Sequence, residues 1–274
     1  MLKINDEVSL NVKADVVDNS KAMIVINHGF AEYVGRYDWV ARELNKAGYS
    51  CVRYDLRGHG STKGPSGHID SYKEFISDCE AVVDYAQGLE PDKDLYMLGH
   101  SMGGLVSVMS ALSFPQKIKG QVLSGPALRD LPAVKGIKGP FLSVVSTLFP
   151  KMMINNPVEN DICSVPEVVE AYKKDPLVIK KASAQFLRQF TLESPKFVEE
   201  HIHEYNLPVI LLHGEKDIIV PPSVGDYFLG NIKSTDKTHI IYEGLYHEIL
   251  NERERDEVMA DIVKWLDEHT SQSL

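Results

Sequence analysis

No stretch constrains this chain more than Asp94-Leu-Tyr-Met-Leu-Gly99-His-Ser101-Met-Gly103-Gly104-Leu-Val-Ser-Val. It reads as a short apolar strand, a turn with glycines at its flanks, and an apolar helix. Gly-x-Ser-x-Gly between a strand and a helix is a nucleophile elbow, which strains the serine backbone and lifts its hydroxyl off the end of a sheet. Gly99 and Gly103 fit it because neighbouring backbones approach too closely for a Cβ. The pentapeptide alone also arises by chance, so its weight depends on whether oxyanion donors, an acid and a histidine stand elsewhere at suitable places.

Strand and helix patterns alternate at both ends of the chain. Residues 1 to 17 alternate in places (Val8, Leu10, Val12), as an antiparallel strand with one wet face would. Ala22 to Ile26, Ser50 to Tyr54, Leu95 to Leu98, Gln121 to Ser124, Val209 to Leu212 and Thr238 to Tyr242 read as further strands. Helical spacing is expected near Trp39 to Ala47, over about 71 to 88, and through Val258, Ile262, Trp265 and Leu266. Such alternation implies a parallel sheet covered on both faces. From Pro126 to about Tyr205 no strand is evident, and helix-like pieces are broken by prolines. We expect a helical cap over 126–205 inserted into an α/β core made of 1–125 and 206–274; the alternative is a run of ordinary crossover helices.

The strand at Val209 to Leu212 runs into His213-Gly-Glu215-Lys-Asp217, and that at Thr238 to Tyr242 into Glu243-Gly-Leu-Tyr-His247. Ser101, Asp217 and His247 thus occur in the chain order this elbow requires, each just past the carboxyl end of a strand. Glu215 could replace Asp217 as the acid, and His239 or His213 could replace His247. A serine hydroxyl is a poor nucleophile until a base takes its proton. The acid would hold the imidazole's tautomer and stabilise the imidazolium. Preorganised donors for the oxyanion are expected at the backbone N–H groups of Met102, directly after the serine, and of Phe30, in the loop His28-Gly29-Phe30.

These stretches carry a resemblance. With His28-Gly-Phe-Ala-Glu-Tyr-Val-Gly-Arg-Tyr37, Tyr54-Asp-Leu-Arg-Gly-His-Gly-Ser61, Gly99-His-Ser-Met-Gly-Gly104, Leu212-His-Gly-Glu-Lys-Asp217 and Tyr242-Glu-Gly-Leu-Tyr-His247, the chain resembles the monoacylglycerol lipase and lysophospholipase group of the α/β-hydrolase superfamily, also labelled serine aminopeptidase S33-like. In the cap only Asp175-Pro-Leu177 matches. The resemblance implies an α/β-hydrolase fold with a mostly parallel eight-stranded sheet, no metal and no cofactor. It supports the triad and oxyanion assignments, and sets Glu32 and Arg36 beside the pocket for the alcohol part of an ester. Leu250 stands where such enzymes can carry a histidine, which removes one polar contact to glycerol.

Within the cap, Phe141, Leu142, Val145, Leu148, Phe149 and Met152 recur at helical spacing. Phe141, Val145 and Leu148 are expected to wall an acyl tunnel whose mouth leans transiently on a lipid surface; alternatively, the stripe buries itself on the core. The formal net charge of −10 argues against nucleic acid. Three scattered cysteines and a start without an apolar signal core suit a cytoplasmic protein. His201-x-His203 reads as part of a solvated helix rather than a metal site. The expected activity is serine carboxyl-ester hydrolysis of monoacylglycerol- or lysophospholipid-like esters through an acyl-enzyme. A peptidase or amidase, an acyltransferase and a non-catalytic binding module are the alternatives.

Overall fold

A computed structural model describes residues 1–129, 139–156 and 161–270. In chain order the first half gives β1 (Leu2–Lys3), β2 (Ser9–Leu10), β3 (Val12–Asp15), β4 (Met23–Asn27), α1 (Asp38–Lys46), β5 (Ser50–Tyr54), α2 (Lys73–Leu89), β6 (Leu95–His100), α3 (Met102–Ser113) and β7 (Gly120–Ser124). There follow α4 (Gly139–Leu148), β8 (Met153–Asn155), α5 (Pro166–Lys174), β9 (Lys181–Ser183), α6 (Ala184–Arg188), a π-helical turn (Gln189–Glu193) and α7 (Ser194–His201). The chain closes with β10 (Val209–Gly214), α8 (Pro222–Asn231), β11 (Lys237–Tyr242) and α9 (Arg255–Thr270).

The main sheet has the order β11-β10-β7-β6-β4-β5-β3, parallel except for β3 at one edge. This is, among the described residues, one strand fewer than the eight the resemblance implies. Among the described residues, β1 pairs with β2, Leu2 opposite Leu10, and Ser9 of β2 also bridges Lys63, so neither strand extends the main sheet. The interior strands are buried on both faces, so alternate residues feed two cores. Met23, Val25, Leu95 and Met97 point to the side covered by α2 and α3. Ile24, Ile26, Leu98 and Leu212 point to the side covered by α1 and α9, where Leu44, Ile262 and Trp265 pack. The helical period of α2 is set by Phe75, Cys79, Val82, Val83 and Ala86, all buried.

Between β7 and β10 no described residue joins the main sheet. The expectation that this stretch holds no strand is corrected by a small antiparallel ribbon, in which Met153 pairs with Ser183 and Asn155 with Lys181. Three-residue strands with mixed exposure leave no alternating signature in the sequence. Of the expected cap, residues 130–138 and 157–160 lie outside the described residues. The chain passes from β4 to β5 on one side and then to β6 on the other. The order therefore reverses between β4 and β6, the position where open parallel sheets leave a crevice beyond their carboxyl ends.

Candidate active site

Two glycines set the geometry of the turn after β6. A Cβ on Gly99 would lie 2.6 Å from the Gly103 carbonyl oxygen and 2.8 Å from the Gly104 Cα, and one on Gly103 would lie 2.1 Å from the Asn27 carbonyl oxygen. The backbone can close this tightly only without those side chains. Ser101 then takes φ 52° and ψ −118°, a strained conformation for a non-glycine residue. Its own N–H donates to the Ser124 carbonyl at 2.9 Å, and its carbonyl accepts from Leu105 and Ala127. The strain is thereby held from both sides, and the hydroxyl reaches a cleft whose space, counted out into its open mouth, is about 520 Å³.

Loops after three strands converge on that cleft. His247, beyond β11, donates from Nδ1 to Asp217 Oδ2 at 2.6 Å. Asp217, beyond β10, has its other oxygen fixed by the N–H groups of Ile219 (2.9 Å) and Val220 (2.8 Å). Both side chains are buried. Burial alone would lower the His247 pKa, but the charge and hydrogen bond of Asp217 raise it above its ordinary 6.5. Ser101 and His247 both line the cleft, without a direct hydrogen bond between them. The Phe30 and Met102 N–H groups, beyond β4 and at the start of α3, have no protein partner among the described residues. They flank Ser101 across the switch point.

The alternatives left open by the sequence separate by their contacts. Glu215 accepts from the Gly244 N–H at 3.0 Å and does not meet His247. His213 Nδ1 bonds His239 Nε2 at 2.9 Å, and His239 bonds Asp226 at 3.0 Å, forming a separate chain away from the cleft. His28 accepts the Leu56 N–H on Nε2 and donates from Nδ1 to the Gly29 carbonyl, so both its nitrogens are occupied in bracing the loop. The His100 ring sits tilted against that of His247, centroids 4.6 Å apart, and burial followed by the neighbouring His247 pushes its pKa down to about 4.

The cleft has an apolar arm formed by Phe30, Ile162, Leu187, Phe190 and Ile219, and a polar end at Glu32, His100 and Glu248. Phe190 and Thr191 reach it from the π-helical turn, a rare element that recurs at functional sites. Of the residues expected to bind substrate, Glu32 lines this cleft. Arg36 and Leu250 line a smaller adjoining one of about 260 Å³. The expectation for Phe141, Val145 and Leu148 is corrected, since none of them walls the cleft. Phe141 and Leu148 are 64% and 65% exposed, and Val145 is half-buried against the core. Helix α4 packs on α6 and turns Leu142 and Ser146 inward, which leaves Phe141, Leu148 and Phe149 on the outside. Spacing reveals a common face on a helix but not which way that face points.

Two participants went unread in the sequence. Gly125, just past β7 with φ 49°, lies so close that a Cβ would stand 3.1 Å from His247 Nδ1 and 3.2 Å from Asp217 Oδ2. Its signal is the Ser124-Gly125-Pro126 break directly after a strand. Glu248, immediately after His247, takes both arms of the Arg36 guanidinium at 2.7 Å each. Arg36 also bonds Glu32 Oε1, while Glu32 Oε2 accepts from the Gly29 N–H (2.7 Å) and the Tyr37 hydroxyl (2.8 Å). Burial would raise the Glu32 pKa, but Arg36 above all holds it at about 2. Adjacency to the expected base was the only clue to Glu248.

Comparison with known proteins adds to this geometry. A family model described as serine aminopeptidase, S33, matches residues 18–254. A phospholipase, YtpA, from Bacillus subtilis is 32% identical over 257 residues, covering 92% of this chain and 97% of the relative. A monoacylglycerol lipase from Mycolicibacterium smegmatis is 30% identical over 249 residues, 91% and 89% of the two chains. The crystal structure of Paleococcus ferrophilus monoacylglycerol lipase superposes with a TM-score of 0.86 at 29% identity, covering 95% of this chain and 99% of that one.

Proposed function

The chain belongs to the serine aminopeptidase S33 family, and from that premise we propose that it is a serine hydrolase of lipid carboxyl esters, cleaving monoacylglycerol- or lysophospholipid-like substrates through an acyl-enzyme. His247 takes the Ser101 proton through Nε2 as the oxygen attacks the ester carbonyl, while Asp217 keeps the other proton on Nδ1. The Phe30 and Met102 N–H groups hold the developing oxyanion. His247 then protonates the departing alcohol, and water releases the acyl chain by the same steps in reverse. The observation that carries the reading is the 2.6 Å Asp217–His247 bond, with His247 lining one cleft beside a strained Ser101 whose neighbouring Phe30 and Met102 N–H groups have no partner among the described residues.

The apolar arm takes the acyl chain, and the polar end takes the alcohol. Residues 126–205 act as a cap over the 1–125 and 206–274 core, supplying Ile162, Tyr172, Leu187 and Phe190 to the cleft. The outward Phe141, Val144, Leu148 and Phe149 give that cap a face for transient contact with lipid, from which substrate enters. No helix of the described residues is long and apolar enough to cross a membrane.

A fluorophosphonate probe tests the reading directly. It should label the wild type on Ser101 and leave Ser101→Ala unmodified, and that variant should lose on the order of a million-fold in kcat on monoacylglycerol. Retention of more than about a hundredth of the ester rate by Ser101→Ala would remove the serine from the reaction.

A further inference from the structure

The polar end of the cleft holds an imbalance of charge. Glu32 and Glu248 both face the space around Ser101, and both side chains are 4% exposed. One guanidinium lies between them. Arg36 spends Nη1 and Nη2 on Glu248 at 2.7 Å and Nη1 again on Glu32, while the Tyr172 ring covers its face at 4.9 Å. Arg36 lines the adjoining cleft and not the one that holds Ser101. Two carboxylates against one cation leave a surplus negative charge where the alcohol part of an ester must sit. Lys180, whose ammonium lies 5.7 Å from the Tyr172 ring, is exposed and turns that ammonium to the Tyr172 and Lys173 carbonyls. The neighbouring His100 is neutral near pH 7, its pKa lying at about 4.

We infer that Glu248 is a specificity-determining residue which turns away esters whose alcohol part carries an anion, such as a phosphate monoester, and leaves neutral polyol esters as the preferred class. The inference rests on the ester-hydrolase reading given above. Guanidinium groups ordinarily recruit phosphate through a paired fork. Here Glu248 occupies that fork, and an incoming anion would meet carboxylate oxygens in a site largely closed to water. Like charges brought together in such a place reject a ligand more effectively than any missing attraction. Asn251 completes the arrangement, its Nδ2 donating to Glu248 Oε2 at 2.9 Å beside the adjoining cleft.

The test compares monooleoylglycerol with its phosphate monoester, oleoyl lysophosphatidic acid, in micelles of one neutral detergent. Wild-type kcat/KM should favour the neutral ester by more than about tenfold, in line with like-charge exclusion. Glu248→Gln keeps the shape and removes the charge, and should narrow that ratio severalfold. Asn251→Lys, which brings a cation to the same carboxylate without altering it, should narrow the ratio as well. A wild-type ratio near one would overturn the inference, as would a ratio unmoved in both variants. Turnover of neither ester, nor of a p-nitrophenyl acyl ester, would instead overturn the hydrolase reading and this inference with it.

Discussion

Ser101, Asp217 and His247 were legible because each is a reactive residue type placed directly after an apolar strand, and parallel strands gather such positions at one edge. Gly125 and Glu248 were not, since their significance lies in what they touch across the sheet. In the proposed mechanism the neutral His247 imidazole is the base, so the rate should fall as pH drops through its pKa, which lies above 6.5. The acidic limb of kcat/KM should therefore inflect above that value. In Asp217→Asn the burial that lowers this pKa persists while the raising charge is gone, so the inflection should move down, and kcat should fall by about four orders of magnitude. A pH–rate profile of both proteins checks direction and size together; an inflection that stays in place would separate Asp217 from the histidine. Gly125→Ala should cost about tenfold or more in kcat with KM little changed, because its methyl would press on the Asp217–His247 bond from a backbone that already disfavours a side chain.

At the level of elements, interior strands such as β4 and β6 announce themselves by apolar runs, and α2 by its period. The ribbon of β8 and β9 is too short to announce anything. The orientation of α4 was hidden for a different reason, namely that a helix with apolar residues on several faces can settle with either face inward. Here Leu142 goes in and Phe141 and Leu148 go out. Replacing both outward residues (Phe141→Ser with Leu148→Ser) should move Tm very little, since exposed side chains contribute little to stability. If α4 is the lipid-facing element, hydrolysis of ester in vesicles should drop severalfold while a monomeric short-chain ester is cleaved as before. Equal losses on both substrates would assign the pair to the cleft itself.

Among the described residues the sheet separates two cores: the one under α2 and α3 lines the cleft at Ser101, and the other reaches the adjoining cleft through Tyr37, Val40 and Leu250. The core under α1 and α9 includes Ile262, fully buried and remote from Ser101. Ile262→Ala should cost about 2–5 kcal/mol in urea unfolding, the usual range for such a truncation, while kcat stays near the wild-type value. The formal charge of −10 acts at this scale too. Binding to zwitterionic vesicles should exceed binding to anionic ones, and added salt should shrink the difference by screening the repulsion. Sedimentation with the two vesicle types measures it, and tighter binding to the anionic type would contradict an apolar mode of contact.

Glu32 uses one oxygen to steady the amide just ahead of Phe30 and the other to grip Arg36. In the proposed mechanism a single side chain therefore joins the recognition of the departing group to the stabilisation of the reacting carbonyl. Efforts to retune this protein for a new head group will shift its turnover number at the same time, and selectivity and speed will have to be evolved as one trait.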